Sequence, residues 1–161
     1  QQISVKAAAA IWLRFCTACG ETTPKGILRR RATTLRRCGL SDRKVEYIRD
    51  LAAHFVSGKV DPVRFNEQDD EAIIAELIDV RGIGRWTAEM FLIFNLLRPD
   101  VLPLDDLGLL KAVSLHYLDG EPVVGRDGRE RVTQVAAAWA PWRSVATWYL
   151  WRSLDPVPVV Y

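Results

Sequence analysis

Apolar residues recur every three or four positions along almost the whole chain, and strand-like alternation is nearly absent. A chain patterned this way buries its apolar side chains by packing helix against helix. The clearest case is residues 42–57, where Val45, Ile48, Ala52 and Phe55 share one face. Ser41 is a capping residue for that run, and Gly58, Asp61 and Pro62 end it. Asp69 or Asp70 caps the next helix, with Ile73, Ile74, Leu77 and Ile78 as its apolar face. Further helices are expected over residues 3–18, 85–97, 107–118, 131–138 and 142–153. A short helix starts at Pro24, and Gly39 is placed to terminate the chain segment after Cys38. Residues 119–128, rich in Gly, Asp and Pro, read as a loop. The expectation is an all-α, compact, multi-helix domain over residues 1–161, without repeats.

Composition supports a real core: 49% of residues are hydrophobic, too many for a disordered chain. No apolar run reaches the ~18 residues that a membrane span needs. The chain opens on Gln1-Gln2, neither an initiator Met nor the basic start of a signal peptide, so residues upstream are expected to be missing. The net charge of +2 argues for no particular partner. Arg29, Arg30, Arg31, Arg36 and Arg37 crowd one stretch, which reads first as a solvated helix face and second as a phosphate-facing patch. Cys16, Cys19 and Cys38 are too few for a disulfide framework and fit a reducing compartment. Cys16 and Cys19 have CxxC spacing but no second pair follows, so they read as structural. His54 and His116 have no partners at ligand spacing, and no metal site is expected from side chains.

The segment Leu77-Ile78-Asp79-Val80-Arg81-Gly82-Ile83-Gly84-Arg85-Trp86-Thr87-Ala88 carries the most information. A helix runs into a turn with two glycines, and a second helix follows. Glycine admits positive φ and leaves the main chain unshielded. The first-turn N–H groups of the second helix, with its dipole, then make an anion site. This reads as a helix-hairpin-helix, which holds DNA phosphate without reading sequence. Arg81, Gly82, Ile83, Gly84, Arg85 and Thr87 are its candidate DNA-facing residues, with Ile83 as a plug between the helices.

The chain also carries Gln1-Gln2-Ile3-Ser4-Val5-Lys6-Ala7-Ala8, Gly39-Leu40-Ser41-Asp42-Arg43-Lys44, Leu102-Pro103-Leu104-Asp105-Asp106-Leu107-Gly108 and Trp142-Arg143-Ser144-Val145-Ala146. With the hairpin, in this order, these segments resemble the helix-hairpin-helix–Gly/Pro–Asp superfamily of base-excision DNA glycosylases. Within it the chain is similar to the 3-methyladenine DNA glycosylase II group. The resemblance implies the DNA glycosylase fold, with its N-terminal part missing here. It implies a catalytic aspartate at the start of the helix after the hairpin, matched by Asp106; Asp105 is then expected to be the helix N-cap. Trp86, Met90, Leu107 and Trp151 match base-pocket positions, and Met90 stands where some relatives have tyrosine. The wedge that fills the vacated stack falls on Gln2 or Ile3.

The resemblance further implies hydrolysis of the N-glycosidic bond of alkylated, 3-methyladenine-like purines flipped out of duplex DNA. Relatives with lyase activity carry a lysine directly after the hairpin, where this chain has Trp86, so a monofunctional enzyme is expected. The four-cysteine iron–sulfur loop of the endonuclease III branch has no counterpart after Cys38. No cofactor is expected beyond a monovalent cation held by the hairpin main chain. The expected partner is double-stranded DNA with alkylated bases, without membrane contact. The expected state is an intracellular monomer, in the cytoplasm or nucleoid if bacterial. Competing readings are a non-catalytic helix-hairpin-helix module, a glycosylase for oxidised or deaminated bases, and a helical scaffold. The first needs neither Asp106 nor the pocket aromatics, and the last leaves the double-glycine turn without a purpose.

Overall fold

A computed structural model describes residues 4–155. Among these residues the secondary structure is helical, with no strand. The contacts gather into two compact units, Gln1–Ile83 and Gly84–Tyr161. Among the described residues no helix is long and apolar enough to cross a membrane.

The first unit holds α1 (Val5–Cys19), α2 (Pro24–Leu28), α3 (Ala32–Arg37), α4 (Asp42–Ser57) and α5 (Asp70–Ile78). Its ends follow the capping chemistry. Ser41 accepts the Lys44 amide at 3.3 Å, and Gly58 stops α4 in the left-handed region. Of the two candidate caps for α5 it is Asp69 that accepts, from the Ala72 amide at 2.8 Å. Phe15, Cys19, Leu35, Cys38 and Val45 form a buried cluster. Cys19 and Cys38 are therefore packed core residues with free thiols, and burial first, then neighbouring Cys38, pushes the Cys19 thiol up. Two expected core positions differ: Phe55 and Ile78 are exposed, while His54 turns inward from α4. The arginine-rich stretch contains a helix of its own, α3, seated by the fully buried Leu35.

The second unit holds α6 (Arg85–Phe94), α7 (Leu107–Tyr117), α8 (Gly125–Ala136), a 3-10 turn (Ala137–Trp139) and α9 (Arg143–Ser153). Leu109, Ala112, Val113, Val132 and Leu150 make its buried cluster. Fully burying a side chain such as Leu109, Val113 or Val132 contributes about 1.5–3 kcal/mol relative to exposure. Two boundaries move from those expected. Helix α6 ends at Phe94, because the chain turns away and Leu97 takes a positive φ of 54°. Helix α8 begins at Gly125 instead of residue 131. Its glycines look like loop formers, yet Gly128 is buried in the helix, and a Cβ there would lie 3.0 Å from Val123. That close approach is why a helix passes through a glycine-rich stretch.

Candidate active site

Asp106 stands at the junction between the turn-containing loop of residues 102–105 and α7. It is the N-cap itself: its Oδ1 accepts the Leu109 amide at 2.7 Å. The cap expected at Asp105 is thus one residue later, and Asp105 instead accepts Arg129 Nη2 at 2.8 Å. Two indoles converge on Asp106. Trp151 Nε1 donates to Oδ1 at 2.7 Å, and Trp86 Nε1 donates to Oδ2 at 2.9 Å. A carboxylate has about two acceptor sites per oxygen. Among the described residues Oδ1 therefore has both of its sites engaged, and Oδ2 has one.

The two indoles come from opposite ends of the second unit's sequence. Trp86 is in the first turn of α6 and is 38% exposed. Trp151 is in α9, half-buried, and stacks on Phe94 with centroids 5.8 Å apart and planes inclined by 18°. Gly108 lets Trp151 approach: a Cβ there would stand 3.0 Å from the indole Cδ1 and 3.1 Å from Asp106 Oδ1. Of the four expected pocket residues, Trp86 and Trp151 meet at the carboxylate. Met90 lies one turn after Trp86 and is partly buried, and Leu107 is 80% exposed in the first turn of α7. The roles of Phe94 and Gly108 escaped sequence reasoning. Gly108 directly follows Asp106-Leu107, so its smallness was the available signal.

The turn after α5 is tied down by α4. Gly82 has φ +83°, and a Cβ on it would fall 2.3 Å from the Tyr47 ring, so only glycine fits. The Arg81 amide donates to Asp50 Oδ2 at 2.8 Å, and its guanidinium pairs with Glu46. That pairing pushes the Arg81 group further up from its ordinary value. The Ile83 amide closes the turn on the Val80 carbonyl at 3.1 Å. His54 links α4 to the residue that opens the turn, its Nε2 lying 3.0 Å from Asp79 Oδ2 while its Nδ1 lies 2.8 Å from the Asp50 carbonyl. The Asp50 carbonyl contact above all, with Asp79 adding to it against burial, raises His54 above the usual imidazole range. His54 and then Lys59 hold Asp79 below the usual carboxylate range. Glu46, Tyr47, Asp50 and His54 were not foreseen as supports; all lie on α4, at spacings that a helix brings together.

In the second unit, Gly84 is the N-cap of α6 and offers no side chain to the first-turn amides. Among the described residues, chain neighbours aside, no atom lies within 4 Å of where a Gly84 Cβ would be. Thr87 is exposed, and Arg85 Nε donates back to Glu89 Oε1 at 2.9 Å, one turn on. The expected wedge residues, Gln2 and Ile3, lie outside the described residues. No three His, Cys, Asp or Glu side chains gather into a metal-binding group among the described residues.

A helical chain that seats a cap aspartate between two indoles, with a double-glycine turn ahead of it, has the parts of a helix-hairpin-helix base-excision protein. The description "HhH-GPD superfamily base excision DNA repair protein" matches residues 1–139, and the chain belongs to that superfamily. It is 36% identical to DNA-3-methyladenine glycosylase 1 of Schizosaccharomyces pombe over 158 residues, covering 95% of this chain and 67% of that protein. Another curated relative is spanned over only 55% of its length. Among solved structures, a DNA-3-methyladenine glycosidase from Bacillus halodurans superposes with a TM-score of 0.86 at 38% identity, covering 97% of this chain and 71% of that one. The Schizosaccharomyces pombe 3-methyladenine DNA glycosylase, solved in complex with abasic DNA, gives 0.75 at 34% identity, covering all of this chain and 78% of that one.

Proposed function

We propose that the protein is a monofunctional DNA glycosylase that removes alkylated purines, of the 3-methyladenine class, from duplex DNA, with Asp106 as its catalytic carboxylate. The observation that carries the reading is the seating of Asp106: among the described residues three N–H donors fix it, two on Oδ1 and one on Oδ2, which leaves Oδ2 the less engaged oxygen. A base inside a duplex must first be turned out of the stack, at a cost of a few kcal/mol that is lower for damaged bases. A ring-alkylated purine is a cation. The half-exposed Trp86 face offers such a base roughly 0.5–2 kcal/mol of cation–π attraction.

An alkylated purine is already a good leaving group, so the demand falls on the sugar, which becomes oxocarbenium-like as the bond stretches. The carboxylate opposes that charge electrostatically, and Oδ2, its less engaged oxygen, can orient or deprotonate the attacking water. Trp86 offers no amine for a Schiff base, so the product is an uncut strand bearing an abasic site. The uncapped first-turn amides of α6 face DNA phosphate, with Thr87 beside them. A monovalent cation on main-chain oxygens of the glycine-bearing turn belongs to the same proposal, since neutral carbonyls are hard donors suited to such an ion. The protein acts as a monomer.

The test is release of free base from methylated duplex DNA by the wild type and by Asp106→Asn, which keeps the size and loses the charge. The expected loss of turnover is about 10²–10³-fold with DNA binding retained, as for removal of one electrostatic stabiliser. Undiminished release by the variant refutes the assignment. Binding of DNA without release by the wild type favours a non-catalytic module.

A further inference from the structure

The segment Trp142-Arg143-Ser144 takes no part in the function proposed above, yet it grips the chain after α6 at several points. Arg143 forms a fork with Asp100, Nε on Oδ1 and Nη2 on Oδ2, both at 2.7 Å. The Arg143 amide adds a bond to Oδ1 at 3.2 Å. Ser144 is buried; its Oγ accepts the Val101 amide at 2.9 Å and donates to the Arg98 carbonyl at 2.7 Å. Its own amide donates to the Pro99 carbonyl at 2.9 Å. The fork holds the Asp100 carboxyl below its ordinary range. A two-point guanidinium–carboxylate pair fixes orientation as well as distance.

From this clasp two segments run toward the same carboxylate. One is the strap from Val101 to Asp106, stiffened by the buried Pro103 and by the Asp106 amide on the Pro103 carbonyl at 3.0 Å. The other is α9. Trp151 comes seven residues after Ser144, just under two turns of helix or roughly 10.5 Å of rise, so the two share a face. Strap and helix are joined at one end by Ser144 and Val101, and at the other by Trp151 and Asp106.

The geometry points to Arg143, Ser144 and Asp100 as positioning residues for Asp106: they set the register of α9 against the strap, and so the place where the Trp151 indole meets the carboxylate. The consequence for turnover rests on the glycosylase reading; the consequence for geometry does not. The experiment therefore has two readouts on Arg143→Met, which keeps the apolar stem and removes the fork.

The first is hydrogen exchange of the Trp151 indole proton, followed by NMR in ¹⁵N-labelled protein. It should speed up about tenfold, the factor for roughly 1.4 kcal/mol of lost restraint, while the buried Ala112 and Val113 amides keep their rates. Unchanged indole exchange overturns the assignment, and so does a rise of all three together, the signature of plain destabilisation. Should Arg143→Met fail to fold, Ser144→Ala is read in its place against the same two outcomes.

The second readout is single-turnover base release. Arg143→Met should lose about tenfold in rate with abasic-DNA affinity unchanged, and should lose nothing more when added to Trp151→Phe. Full additivity of the two substitutions overturns the assignment. If the wild type releases no base, the glycosylase reading fails, and the exchange readout alone decides the clasp.

Discussion

The turn at residues 79–83 and the aspartate at position 106 are both held by side chains from elsewhere in their own unit, but by opposite kinds of chemistry. The turn is braced by charge: Glu46, Asp50, His54 and Lys59 engage Arg81 or Asp79. Asp106 is braced by donors that do not titrate, two indoles and a main-chain amide. A brace of exposed charges is weakened by salt and altered by pH; neutral N–H donors on a half-buried carboxylate respond much less. The difference suits the tasks proposed for the two places. A segment that meets polyanionic DNA can tolerate exchange of its ionic partners, whereas a carboxylate facing a developing cation must not move.

The largest effect is expected where the turn depends on shape instead of charge. Gly82→Ala forces a positive φ on a residue with a side chain and drives a methyl into the Tyr47 ring. Left-handed backbone costs roughly 1–2 kcal/mol and overpacking roughly 1–3. A loss of about 2–5 kcal/mol by denaturant unfolding, with weakened DNA binding, is the expected result. Equal stability would mean that Tyr47 swings aside freely and the turn is not shape-locked. Trp151→Phe tests the other side of the comparison. It removes one donor to Asp106 while keeping a ring near Phe94, and a hydrogen bond to a charged group contributes about 1.5–3 kcal/mol. The rate of base release should fall about 10- to 100-fold with abasic-DNA affinity held. A fall in affinity alone would mean that Trp151 serves binding.

These two sites also differ in how far the sequence exposes them. Helix ends set by a cap could be read directly: Ser41 and Gly58 bracket α4, and Asp69 opens α5. The same logic misled at Gly128, whose smallness answers a tertiary contact with Val123 and not a loop. The apolar Leu96-Leu97 also prolonged α6 beyond its real end. At the site, Trp86 and Trp151 were legible as aromatic positions through the family resemblance. What they do to Asp106 was not, because Trp151 reaches it across 45 residues of chain. The cap moved from Asp105 to Asp106 for a similar reason: two adjacent aspartates look alike until Arg129 is seen to hold the first.

Smaller effects separate the charged brace from the shape lock. Asp50→Ala deletes the acceptor of the Arg81 amide, but that amide is exposed and water can replace the carboxylate. A net hydrogen bond of this kind contributes about 0.5–1.5 kcal/mol. DNA affinity should weaken by no more than about tenfold, with base release at saturating DNA unchanged. A loss of rate at saturation would mean that the turn reaches the chemistry as well as the DNA.

The smallest effect is the most diagnostic of charge. His54 is raised above its ordinary value, chiefly by the Asp50 carbonyl and then by Asp79, against burial and the nearby Lys59 cation. A base whose folded-state pKa is raised contributes stability that is complete below the unfolded value, about 6.5, and is lost as pH rises through the folded value. Asp79 is lowered, so its contribution is present above the ordinary carboxylate value, about 3.9, and disappears as pH falls through the folded one. The pair is therefore at full strength between those two ordinary values and fades on the alkaline side through His54. His54→Gln retains hydrogen-bonding capacity without the charge. The thermal midpoint of the wild type should exceed that of the variant by on the order of 2 °C more at pH 6 than at pH 9. A gap that does not change with pH would show that His54 serves only as a packed hydrogen-bonding group, and the contrast between the charged brace of the turn and the neutral donors on Asp106 would then rest on the exposed ion pairs alone.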